Sequence, residues 1–232
     1  MSSGLAKVEI AAAGLVVADA LREEVLQLPS GTFLGGEEDL AGRLGVSRPT
    51  VRQAVRILQQ EELLEVRRGP NGGIRTRQPT AAVATHMVGV YLRSRRVEEH
   101  DVLTTYRALL TDAAERASRH PDLLQRGRPL QYLEQTAPRP GTAPSEFRRW
   151  MSQHALVIAE TAGSPSLTLF IQVLDGARQH GHVERFLESM RHQKAVIEQL
   201  VALDEAIRRG HSSVAGRLAQ TSVEPGIAVR LS

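Results

Sequence analysis

The sequence predicts a mainly α chain in two parts: a small helical domain carrying one β-hairpin, then an all-α bundle of six or seven helices. Three observations carry this. At 232 residues the chain exceeds a typical single domain. Apolar residues recur at three- and four-residue spacing through most of the chain, the period of a helix with one buried face. Two short extended runs flank a Gly/Asn turn, Leu63 to Arg68 and Ile74 to Arg77, and no good strand follows Ala81. Hydrophobic residues make up 41% but aromatic residues only 3%, so the cores must be built from Leu, Val, Ile and Ala.

In chain order, residues 1–10 are expected to be disordered. Leu15, Val16, Ala18, Leu21, Val25 and Leu26 then give a helical stripe from about Ala12 to Leu28, ended by Pro29-Ser30-Gly31-Thr32. Leu40 and Leu44 lie four apart and share one face of a second helix. Gly45 tolerates the left-handed backbone that closes it, and Val46 can point back into the helix pair. Ser47 is an N-cap, since its hydroxyl can accept from the free amides of the next turn, and Pro49 is welcome in a first turn where its missing N–H costs nothing. The third helix runs from about Arg48 to Gln60. Val51, Ala54, Val55 and Leu58 form its buried stripe and leave Arg48, Thr50, Arg52 and Arg56 on other faces. The hairpin arms carry Arg67, Arg68, Arg75 and Arg77 around a turn at Gly69-Pro70-Asn71-Gly72-Gly73. Gln78-Pro79-Thr80 ends the second arm, which sets the domains at 1–77 and 83–232 with a linker at 78–82.

Two helices joined by so tight a turn, the second rich in Arg and Thr near its start, suit docking in the major groove of DNA. Arg can pair bidentately with guanine N7 and O6, and Thr can reach a base edge or a phosphate. An arginine-bearing hairpin beside them is a wing that can follow the phosphate backbone or enter the minor groove. The DNA-contacting residues expected on this reading are Ser47, Arg48, Pro49, Thr50, Arg52, Arg56, Arg67, Arg68, Gly69 and Arg75. Overall charge says little, because the formal net charge is only +3. Its distribution says more: residues 1–78 hold ten Lys/Arg and ten Asp/Glu, yet from Ser47 to Arg77 seven Arg face three Glu.

The string from Leu40 to Gly73 resembles the winged-helix domain of the GntR family of bacterial transcription regulators. Leu40-Ala41, Leu44-Gly45-Val46-Ser47-Arg48-Pro49-Thr50-Val51-Arg52, Ala54, Leu58, Leu63, Arg68-Gly69 and Gly72-Gly73 carry the likeness. The chain departs from it at one place. Many members have a basic residue after the Glu that opens the first of these helices; here Glu37 is followed by Glu38 and Asp39, which suit a helix N-terminus.

The second domain reads as helices over Thr85–Arg95, Glu98–His120, Leu123–Thr136 with a possible break at Gly127-Arg128-Pro129, Glu146–Ala162, Ser166–Gln179, Val183–Gly210 as one or two, and Ser212–Thr221. A break falls at His180-Gly181-His182. Arg107 within TTYRALL, the run His154 to Gly163, and Ala206-Ile207-Arg208-Arg209-Gly210 with Ala215 make this domain similar to the FCD effector-binding domain of the FadR subfamily. That resemblance implies a homodimer on a palindromic operator and a small-molecule effector. Many FCD domains hold a divalent metal with an Asp, a His four residues later and two further His. Here His154 stands at the His position, but the others fall on Trp150, near Leu200 and near Ser222, so no metal and no cofactor are expected. Effector-binding candidates are Arg107, which could fork a carboxylate, with Trp150, Gln153 and His154. The expected ligand is a carboxylate or, given the lost metal ligands, an acyl-CoA.

There is no Cys, which excludes disulfides, thiolate metal sites and Cys nucleophiles. The N-terminal apolar stretch is broken by Asp19, so neither a signal peptide nor a membrane span is expected, and the cytoplasm is the expected location. No nucleophile elbow, P-loop or metal-helix motif is present. The function expected is a ligand-responsive, homodimeric DNA-binding regulator, a repressor released by its effector, with no catalytic residues. A DNA-binding dimer whose second domain has lost its effector is the alternative; an enzyme with an attached DNA reader is the remote one.

Overall fold

The computed structural model describes residues 2–69, 72–178 and 181–222, with side chains from residue 12 onward except at 181 and 182. Pro70 and Asn71 of the expected hairpin turn, and the side chains of His180 and His182, lie outside it. The chain divides into two compact units, Met1–Val83 and Ala84–Ser232.

The first unit runs α1 (Ser2–Leu26), β1 (Phe33–Gly35), α2 (Glu37–Leu44), α3 (Arg48–Gln60), β2 (Leu64–Arg67) and β3 (Gly73–Thr76). The helical backbone of α1 begins at Ser2, so the disorder expected for residues 1–10 is not found from there on. The segment contains no Pro and is rich in residues that tolerate a helix well. α1 packs along α3, and Gly14 permits the approach: a Cβ there would stand 2.7 Å from Gln53 Cγ. Ala18, Leu21 and Val25 are buried, whereas Leu15, Val16 and Leu26 of the expected stripe are exposed. Leu40, Val51, Ala54, Val55, Leu58, Leu63, Leu64 and Ile74 complete one core. Burying a side chain such as Leu21 or Leu58 contributes about 1.5–3 kcal/mol.

Local chemistry sets the turn between α2 and α3 as the sequence anticipates. Gly45 closes α2 at φ +67°, and the Ser47 hydroxyl accepts from the Thr50 amide at 3.4 Å with Pro in the first turn. The wing is a three-stranded antiparallel sheet in the order β1-β3-β2, with Leu64 opposite Thr76 and Val66 opposite Ile74. β1 is an addition to the hairpin read from the sequence. Thr76 fixes the preceding loop to the sheet: its hydroxyl donates to Pro29 O at 2.6 Å and accepts from Thr32 N at 2.9 Å.

The helices that follow are α4 (Ala81–Ser94), α5 (Glu99–Ser118), α6 (Leu123–Thr136), α7 (Pro144–Thr161), α8 (Pro165–Ala177), α9 (Gly181–Phe186), α10 (Met190–Arg208) and α11 (Ser212–Ser222). α4 starts inside the stretch 78–82 read as a linker. The stretch Val183–Gly210, read as one helix or two, resolves into two: the end of the short α9, and α10. α6 is continuous through Gly127-Arg128-Pro129, because Pro129 and Leu133 are both buried, and this packing outweighs the one lost N–H. α5, α7, α10 and α11 surround the core, which includes Phe147, Ile158, Ile171, Leu187, Leu203 and Ile207. Gln193, 1% exposed, ties the loop before α7 to α10: its Oε1 accepts from Gly141 N, and its Nε2 donates to Thr142 O and Leu187 O, each at 2.7 Å. Among the described residues no helix is long and apolar enough to cross a membrane.

Candidate nucleic-acid interface and interior cavity

Arg48, Arg52 and Arg56 recur every four residues along α3, so they form one stripe, and all three are exposed. The opposite stripe faces the core. Ser47 and Pro49 are exposed at the start of the helix, beside Arg48. Thr50 departs from the expectation that it points outward. It stands four residues before Ala54 and so shares the buried face; it is 5% exposed, and its hydroxyl lies 2.8 Å from that of Ser47. On the wing, Arg67, Arg68 and Gly69 are exposed. Arg75 is half-buried and engaged within the sheet: Nη1 donates to Gly31 O at 3.1 Å, and the guanidinium lies 5.1 Å from the centre of the Phe33 ring. Its strand pairs with β1, which the sequence had not revealed.

Electrostatics divide these arginines. Arg52 forks Glu37 through Nε at 3.1 Å to each oxygen and Nη2 at 2.7 Å. Arg48 pairs with Glu38. The hydrogen bonds from Arg52, with the positive charges of Arg52, Arg48 and Arg56, hold the Glu37 carboxyl below its usual range. Arg67 pairs with Glu65 at 2.5 Å. Arg56 and Arg68 form no ion pair with another described residue. In the sequence Glu38 and Asp39 are marked only as suited to a helix N-terminus; that Glu37 and Glu38 reach across to α3 follows from the angle of the α2–α3 turn.

The second unit holds a small, partly open cavity of about 40 Å³, lined by residues of α5, α7, α8, α9, α10 and α11, among them Tyr106, Arg148, His154, Arg178, Leu200 and Ser222. Of the four expected effector residues it takes only His154. Arg107 is half-buried on α5 outside the lining, Gln153 is exposed on α7, and Trp150 turns away to donate from Nε1 to Thr136 Oγ1 at 3.0 Å. The basic groups at the cavity are Arg178 and Arg148 instead. Arg178 follows α8; its side chain is 7% exposed, its guanidinium lies 4.6 Å from the centre of the Tyr106 ring, and it reaches Asp175 at 3.5 Å. Its Nε has no hydrogen-bond partner among the described residues. Burial raises the Tyr106 hydroxyl far above its ordinary value. Arg148 pairs with Glu184 at 3.0 Å.

His154, Leu200 and Ser222 do line one cavity, which places three of the four positions of the metal pattern together. Their donor set does not fit a divalent ion. His154 Nε2 lies 2.8 Å from Asp204 Oδ2, so a buried carboxylate already engages that nitrogen, and Leu200 offers no donor. No group of three His, Cys, Asp or Glu able to hold a metal occurs among the described residues.

An arginine stripe on the second helix of a helix-turn-helix, beside a three-stranded sheet carrying further arginines, defines a winged helix-turn-helix domain. Within that class, residues 14–72 match the model of the bacterial regulatory proteins, gntR family. A curated relative, the uncharacterized HTH-type transcriptional regulator Rv0494 of Mycobacterium tuberculosis (strain ATCC 25618 / H37Rv), is 46% identical over 59 residues. That alignment covers 25% of this chain and 24% of the relative, so the chain spans about a quarter of the length of the curated protein it matches. Among solved structures, Streptococcus agalactiae GntR superposes with a TM-score of 0.70 at 19% identity, covering 93% of this chain and 98% of that one. The fold is thus shared across both units. E. coli McbR/YncC superposes less well, with a TM-score of 0.45 at 17% identity over 94% of this chain and 96% of that one.

Proposed function

We propose that this chain is a DNA-binding transcription regulator of the GntR type, acting in the cytoplasm as a homodimeric repressor on a palindromic operator. The observation that carries this reading is the exposed stripe Arg48, Arg52 and Arg56 on α3, backed by a buried stripe that fixes its direction. One such helix makes few base contacts, so a two-fold dimer is needed for tight readout. The test is selection of bound fragments from fragmented genomic DNA by the full-length protein, followed by salt titration of the best fragment. Enrichment of a two-fold-symmetric sequence, with affinity falling steeply as salt rises, is expected; no enrichment over random fragments refutes the reading.

The second unit is proposed to bind a small anionic effector without a metal. The cavity supports this through Arg178, whose buried Nε has no acceptor among the described residues, and through the polar lining of Tyr106 and His154. A cavity of about 40 Å³ suits a small carboxylate and not an acyl-CoA. A thermal-shift screen of small carboxylates on the wild type and on Arg178→Met is the check, a hit lost in the variant being the expected result. A second reading, a dimerising domain with no effector, is favoured by the internal neutralisation of Arg178 by Asp175 and of Arg148 by Glu184. A screen with no hit at millimolar ligand supports that reading.

A further inference from the structure

α2 opens with three consecutive carboxylates, Glu37, Glu38 and Asp39. Favourable placement at a helix N-terminus would account for any of them, but their side chains take different partners. Asp39 turns back and accepts from Gly36 N at 2.7 Å, capping its own helix. Glu37 and Glu38 leave α2 and cross to α3. Glu37 fixes Arg52 through three contacts and is 38% exposed. Glu38 takes Arg48 and is 78% exposed, its partner 55%. Two of the three arginines on the DNA-facing stripe are thus neutralised within the protein, and only Arg56 stands without a carboxylate partner among the described residues.

Such exposed pairs are worth about 0.2–1 kcal/mol, so a better partner can displace them. What displaces them depends on charge. Sequence-independent binding to DNA draws its free energy from cations that neutralise phosphates and release condensed counterions. An arginine already facing a carboxylate contributes little to that release, and the carboxylate repels the incoming phosphate. A guanine edge is uncharged and offers two acceptors in the geometry of the guanidinium fork. It competes for the same arginine through hydrogen bonds, without a second negative charge being brought against Glu38.

Resting on the DNA-binding reading, we propose that Glu38 is a specificity-determining residue: by neutralising Arg48 on the exposed face of α3 it suppresses binding to phosphate backbone, leaving Arg48 to be drawn out by a base edge. Glu37 acts differently. Its two-oxygen grip sets the direction of Arg52, so it is a positioning residue.

The test uses the full-length protein and a fluorescein-labelled duplex of random sequence, with anisotropy measured over a range of salt. The variants are Glu38→Gln, Glu38→Lys and a control, Glu134→Gln, which removes the same charge from an exposed position on α6. Glu38→Gln is expected to bind the random duplex about two- to fivefold more tightly at low salt, the range set by one exposed pair. The slope of log affinity against log salt should steepen by about one. Glu38→Lys should go further in both, and Glu134→Gln should match the wild type. Wild-type affinity and slope in Glu38→Gln, or an equal gain in Glu134→Gln, overturns the proposal. A wild type that shows no salt-dependent duplex binding takes down the DNA-binding reading itself and this proposal with it.

Discussion

Replacing Asp204 should separate the loss of a buried partner from the loss of a buried charge. Asp204 is fully buried and His154 is 1% exposed; Oδ2 and Nε2 are 2.8 Å apart, while Asp204 Oδ1 has no hydrogen-bond partner among the described residues. Asp204→Ala leaves the His154 nitrogen buried without its partner and enlarges the space beside the cavity. Removing one member of a buried pair costs about 3–5 kcal/mol, a large share of the roughly 5–15 kcal/mol that holds a domain together. Asp204→Asn keeps an oxygen for His154 and removes the charge, so it should cost clearly less than Asp204→Ala. The sign of the pH dependence follows from burial, which holds the Asp204 carboxyl above its ordinary range; the charge and hydrogen bond of His154 oppose this, and Glu205 adds a smaller upward push. From about pH 3.9, the ordinary Asp value, up to the raised value, the folded state keeps a proton that the unfolded chain has released. In that window this group's contribution to stability falls as pH rises, by at most about 1.4 kcal/mol per pH unit, and it is level above. Asp204→Asn should abolish that fall, and comparison with the wild type cancels the other carboxylates. The assay is urea unfolding followed by the fluorescence of Trp150, the single Trp, which is 8% exposed, edge-on to Phe147 at 5.4 Å and 6.0 Å from His154. Equal stabilities for the Ala and Asn variants, or equal pH slopes for wild type and Asp204→Asn, refute the reasoning.

Three shorter predictions concern the first unit. Ser47→Ala removes the cap of α3 and should lower the stability of this unit by about 1 kcal/mol, read from the denaturant midpoint of a reporter placed on α3. Gly73→Ala should unpair β1 from β3, because the backbone sits at φ +134° and a Cβ would fall 2.4 Å from Phe33 Cε2 and 3.1 Å from Gly35 O; faster amide exchange in β1 with α3 unchanged is the expected signature. Arg52→Ala and Arg56→Ala should each weaken operator binding by about 1–3 kcal/mol if they read bases, whereas Arg75→Ala should destabilise the sheet as well, since Arg75 also holds Gly31 O and covers Phe33.

The sequence by itself determined those features whose chemistry is local. Gly45, Ser47 and Pro49 place the turn and the start of α3 because a left-handed closure, a hydroxyl cap and a first-turn proline act on neighbouring backbone groups. The stripe Val51, Ala54, Val55 and Leu58 fixes which side of α3 is buried, and hence that Arg48, Arg52 and Arg56 look outward. Thr50 is the exception: a small polar residue on the same stripe carries no hydrophobic signal, and only its four-residue spacing to Ala54 marks it as buried. Tertiary structure decided the rest. β1 is three residues long, too short for any periodicity, and exists through its pairing with β3. The same pairing draws Arg75 into the sheet. At the cavity, nothing in the spacing along any one helix shows that Tyr106, His154 and Leu200 meet one another, nor that Arg178 rather than Arg107 joins them. Spacing along one helix fixes the face a residue occupies; which residue from another helix stands opposite depends on how those helices cross, and that is set by packing summed over the whole core.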